Sequence, residues 1–98
     1  MGQREQASSP LNQEALRLIR DGFALSGMTQ VELSRASQIP RSTLANILST
    51  TAEHRLVHVS QLVKIAVALG ADPQVWIGEL EKLERRRRGS NQQPSAQG

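Results

Sequence analysis

A chain of 98 residues with 12 basic and 9 acidic side chains, a formal charge of +3 and no cysteine has room for one small domain. Without cysteine there are no disulfides or thiolate metal sites, and the composition is compatible with a reducing cytosol. No N-terminal apolar run suits a signal peptide and nothing approaches the length of a membrane span, so a soluble cytoplasmic protein outside any membrane is expected.

Met1 to Ser8 is polar and aperiodic, which predicts a disordered arm. Ser9-Pro10 marks a helix start, with Ser as cap and Pro at the first helical position, where no N–H is needed. Ala15, Leu16, Ile19 and Phe23 then carry the spacing of one buried face. Gly22 is an awkward interior residue for that helix, and Gly27 closes it.

Thr29-Gln30-Val31-Glu32 has the form of a capping box. Val31, Leu33 and Ala36 supply the apolar side of a short helix behind it. Ser37-Gln38-Ile39-Pro40 interrupts the pattern, because the residue before proline is pushed out of the α region. A second short helix begins near Arg41, with Leu44, Ile47 and Leu48 inward. Its other face, Arg41, Ser42, Thr43, Ala45 and Asn46, is short, polar and weakly charged. Arg and Asn can both make paired hydrogen bonds to base edges. Two short helices joined by a tight turn, the second with such a face, have the pattern of a helix-turn-helix.

Ser49 to Leu56 is rich in Ser and Thr and predicts a loop. Helical periodicity resumes over His58 to Leu69 through Leu62, Ile65, Ala66 and Leu69, with Gly70 as its stop. Asp72-Pro73 opens a last helix, whose apolar stripe is Trp76, Leu80 and Leu83. Glu81 with Arg85 and Glu84 with Arg88 are i,i+4 pairs that extend it. Gly89 to Gly98 is a Ser, Gln, Pro and Gly tail, expected to be disordered. The folded domain therefore spans residues 9–88, and its expected core joins Leu16, Ile19, Leu33, Leu44, Ile47, Ile65, Leu69 and Trp76.

Four pieces, Met28-Thr29-Gln30, Ile39-Pro40-Arg41-Ser42-Thr43-Leu44, Lys64 to Gly70, and Asp72-Pro73 with Trp76, stand in an order that resembles the phage-repressor and Cro (XRE) type of DNA-binding domain, over roughly Leu11 to Leu80. The resemblance implies an all-α fold of five helices, the second and third forming the DNA-reading unit. Carried over residue by residue, it puts base contacts on Arg41, Ser42, Thr43 and Asn46. It implies phosphate contacts at Thr29 and Gln30; from the following loop Thr50, Thr51, His54 and Arg55 are further candidates, against a loop that merely connects. Pro40 and the opening Arg41 depart from the pattern of many relatives, so the operator sequence is not transferable.

Between Pro10 and Gly78 six basic residues meet five acidic ones, and Glu79 to Arg88 holds five against three. That balance argues against a protein that holds nucleic acid by charge alone, though neutral side chains and helix N-termini also reach phosphates. The Arg85 to Arg88 run is foremost a solvated helix end complementing the macrodipole, then a source of extra phosphate contacts, and last a partner- or RNA-binding tail. His54 and His58 are four apart beside Glu53, but they straddle a loop-to-helix junction and lack a third ligand at motif spacing, so no metal is expected. With no phosphate loop, no nucleophile–base pattern and no paired carboxylates, neither catalysis nor a cofactor is expected. The reading is a small transcriptional regulator, foremost a repressor, binding a roughly palindromic operator as a homodimer through Ile77, Leu80 and Leu83. The competing reading is a protein-interaction adaptor or antitoxin with weak DNA affinity.

Overall fold

The computed structural model describes residues 9–49 and 55–91. They form five helices: α1 (Pro10–Ser26), α2 (Gln30–Ser37), α3 (Arg41–Leu48), α4 (Val59–Leu69) and α5 (Pro73–Asn91). None of the described residues is in a strand, and no described helix is long and apolar enough to cross a membrane. The arm before Ser9, Thr50, Thr51 and His54, and the last seven residues lie outside the described residues.

Short-range chemistry sets most of the boundaries. Ser9 Oγ accepts from the Asn12 backbone N–H at 3.2 Å, and Pro10 follows in the first turn. Gly27 ends α1 at φ 75°, a conformation that costs glycine little. The capping box of α2 is complete, with Glu32 N–H donating to Thr29 Oγ1 at 3.1 Å and Thr29 N–H to Glu32 Oε1 at 2.9 Å. Asp72 Oδ1 accepts from Gln74 N–H at 2.9 Å ahead of α5. Gly70 closes α4 in the left-handed region, and Ala71 N–H reaches back to Ala66 O at 2.8 Å.

The α2–α3 connection is held by polar side chains. Gln38 is the one described non-glycine residue with positive φ, at 62°. Ser34 Oγ donates to Ile39 O at 2.6 Å, and Ser37 Oγ both donates to Leu33 O and accepts from Ile39 N–H. The Ile39 carbonyl and N–H, which a tight turn leaves without helical partners, are thereby satisfied. Ile39, now buried, tucks into the core.

α1 packs against α3, α4 and α5, and α4 also packs against α2 and α5. Leu16, Ile19, Leu33, Leu44, Ile47 and Ile65 are fully enclosed, joined by Ala15, Ile39, Leu62, Ala66 and Trp76. Gly22 is what lets Trp76 in: a Cβ there would stand 3.1 Å from the indole Cζ2 and 3.3 Å from Leu69 Cδ1. Its helix-weakening effect is set against close approach of an aromatic ring, and α1 runs unbroken through it.

Four expectations need correction. Val31 and Ala36 are exposed, because the inward ridge of α2 is Leu33 with Ser37 four residues on, and Val31 lies nearly opposite Leu33 on the helix wheel. Leu69 is only half-buried, packed at the core's edge beside Gly22. α2 extends through Ser37, whose hydroxyl serves the turn from within the helix. α5 continues through Gly89 to Asn91 rather than yielding to a tail at residue 89. Side-chain pairs support this last turn, with Arg85 Nε to Glu81 at 2.9 Å and Arg88 Nε to Glu84 at 2.6 Å.

Leu44→Ala removes a fully enclosed side chain at the centre of this core, and the resulting cavity should cost about 2–5 kcal/mol. A urea melt should show the midpoint falling accordingly, with the slope unchanged.

Candidate nucleic-acid interface

α3 turns Leu44 and Ile47 fully inward and keeps Leu48 half-buried. The helical repeat then puts Ser42 and Asn46, four apart, side by side on the outer crest. Arg41 and Ala45 flank them, and all four are exposed. Thr43 is half-buried on the other flank, so the structure brings Arg41, Ser42 and Asn46 onto the open face and leaves Thr43 at its margin. Pro40 provides no side-chain cap, and the first N–H groups of α3 therefore end beside these side chains without one.

Thr29 is exposed and Gln30 half-buried. Thr29 spends its hydroxyl acceptor on the cap, while Gln30, the first residue of α2, stands where backbone donors and a carboxamide coincide. Arg55 is half-buried: its carbonyl accepts from Asn12 Nδ2 at 2.9 Å, and its Nε is enclosed without a hydrogen-bond partner. Thr50 and Thr51 fall outside the described residues.

Two residues that sequence reasoning passed over hold this region. Asn12, buried in α1, donates to Arg55 O and accepts from Val57 N–H at 2.8 Å. Arg20, also in α1, donates from Nε to Ile47 O at 3.2 Å and from Nη2 to Ser49 O at 2.6 Å. A planar cation thus meets the carbonyl end of α3, where the helix dipole is negative. The signal for both was their place four residues either side of Leu16, on the apolar ridge of α1, where a polar side chain needs a buried partner.

Much of the remaining charge is already paired. Arg17 bridges Glu14 and Asp21, and its hydrogen bond, backed by its charge and that of Arg86, holds the Glu14 carboxyl below its ordinary value despite partial burial. Arg85, Arg87 and Arg88 engage Glu81 and Glu84, and Lys82 engages Glu79. Among the described residues, Arg35, Arg41 and Lys64 are exposed cations outside these ion pairs.

Leu11, Val57, Val59, Leu62, Ile77 and Leu80 line an apolar groove of about 180 Å³. Ile77 is 42% exposed. Leu80 packs against the core and Leu83 is half-buried. Part of the stripe foreseen as a contact surface therefore folds back onto its own domain.

No family model, curated protein or solved structure matches the chain.

Asn12→Asp keeps the acceptor for Val57 N–H but replaces the donor to Arg55 O with a second oxygen. A carbonyl left unpaired costs about 1–3 kcal/mol and the enclosed carboxylate facing it adds to that, so thermal melts at neutral pH should show a loss of at least that size. Asn12→Ala, which encloses no charge, should lose about 1–3 kcal/mol.

Proposed function

We propose that this protein binds double-stranded DNA sequence-specifically and acts as a small transcriptional regulator, in the first instance a repressor. In this reading α2 and α3 form a helix-turn-helix, with α2 as brace and α3 in the major groove. The observation that carries it is the outer face of α3. A helix of eight residues is seated by two fully enclosed side chains and tied at its C-terminal end. What it presents is Arg41, Ser42 and Asn46, groups suited to base edges and small enough to let the helix approach. The resemblance to the phage-repressor and Cro type supports the same assignment.

Arg41 is the favoured base reader, with guanine its natural partner, and Ser42, Thr43 and Asn46 complete the reading face. Gln30 and the backbone at the start of α2 are suited to a phosphate, a contact that needs only an amide and a helix N-terminus. Thr29, Arg55 and the loop residues Thr50 and Thr51 are secondary candidates. Such a protein works in the cytoplasm, at the nucleoid.

One short reading helix covers too few base pairs to find a site in a genome, so the working form proposed is a homodimer on a roughly palindromic operator. Its half-sites would lie about 34 Å apart. Because Leu80 is committed to the core, Ile77 and the neighbouring Val59, 70% exposed, are the better residues to probe for the contact. A second reading, a protein-interaction adaptor or antitoxin, is favoured by one feature: Val59, Val63 and Val67 line up at i, i+4 and i+8 along α4, all exposed.

Selection of duplexes from a random pool, followed by a salt titration, separates the two. A DNA reader keeps its preference for selected over random duplex as salt rises, whereas an adaptor has no preference to keep. Arg41→Ala should lose discrimination at one base position, worth about 1–3 kcal/mol. Gln30→Ala should weaken all sequences alike, since a phosphate carries no sequence information. Ile77→Asp should spare half-site binding and abolish cooperative binding to the full site; cooperativity that survives it moves the dimer contact elsewhere.

A further inference from the structure

Apolar burial fixes how deeply α3 sits, but it is non-directional and leaves rotation about the helix axis poorly defined. Rotation matters at the outer face. A side-chain tip lies roughly 6 Å from the axis, so a turn of about 10° displaces it on the order of 1 Å, enough to spoil a paired hydrogen bond. At its start α3 is tied to α2 through Ser34 Oγ and Ile39 O. At its end the tie is to α1, through the two bonds from Arg20 to Ile47 O and Ser49 O.

We propose that Arg20 is a specificity-determining positioning residue, which sets the rotation and tilt of α3 without touching DNA. The inference rests on the reading of α3 as the DNA-reading helix. The guanidinium suits the task because its donors are rigidly spaced in one plane. Two carbonyls two residues apart, gripped by one plane, define an orientation; a single point contact does not. Its charge adds to both bonds at the negative end of the helix. Asn12 provides the internal comparison. It grips the same connection at its far end, at Arg55 and Val57.

Lysine at position 20 keeps the charge and loses the fork. The test compares the full-length wild type with Arg20→Lys, Arg20→Met and Asn12→Ser. It reads thermal stability, affinity for random and for selected duplex, and NMR residual dipolar couplings of the free protein. Arg20→Lys should stay folded and hold random duplex within about twofold of wild type, while its preference for the selected site falls roughly tenfold. Couplings in α3 should shift, with those of α1, α4 and α5 in place, and Arg20→Met should go further in the same direction. Asn12→Ser should lose stability and keep its preference. Full preference in a folded Arg20→Lys, unchanged α3 couplings, or an equal loss of preference in Asn12→Ser would each overturn the proposal. A wild type that prefers no duplex would instead sink the DNA reading, and the couplings alone would then decide whether Arg20 orients α3.

Discussion

The ridge of α1 formed by Asn12, Leu16 and Arg20 is the constraint on which the other four helices depend. Leu16 is almost wholly buried, and a polar residue one turn to either side reaches across 27 to 45 positions of chain to grip backbone. A domain this small buries a modest fraction of its surface, so packing alone leaves its connections loosely held. Charge-assisted and amide hydrogen bonds, partly shielded from water, give the connection after α3 a defined path at both described ends. Each bond adds only about 1 kcal/mol net, but leaving its partner unpaired would cost more. The ridge thus acts mainly by penalising alternatives.

The same logic explains what could be read from the amino acids and what could not. Ser9-Pro10, the Thr29 and Glu32 pair, Gly70 and Asp72-Pro73 each act within a few residues, and each gave a boundary the structure retains. The inward residues of α3 followed from their spacing, and the outward ones followed from those. The partners of Asn12 and Arg20 were opaque because they lie far along the chain and are backbone atoms, which have no residue signature. Val31 and Ala36 misled for a different reason. In α2 the turn that follows needs hydroxyls, so Ser34 and Ser37 occupy the inner side and the apolar pair is displaced outward. At the candidate site the half-burial of Thr43 depends on neighbouring helices that the local pattern does not contain.

α4 illustrates an excess rather than a deficit. Its buried arc of Leu62, Ile65 and Ala66 adjoins Val59, Val63 and Val67, so the apolar face is broader than the core behind it covers. Valine at an exposed helix position is a mediocre helix former, and three in one stripe add nothing to α4 as an isolated element. Among the described residues the cations show a complementary economy: several arginines are held by carboxylates on their own helix, which leaves few exposed ones outside those pairs. Any partner would therefore meet a surface whose shape and neutral polar groups count for more than its charge.

Trp76 gives the molecule a built-in optical reporter. It is the sole tryptophan, and the chain has no tyrosine, so near-ultraviolet emission arises from a single indole. That ring lies against Gly22 and beside Leu69, at the seam of α1, α4 and α5. Its emission wavelength should follow water entry at that seam, while staying insensitive to events confined to the outer face of α3. Loss of global packing and a local disturbance of α3 can therefore be told apart in the unlabelled protein by light alone.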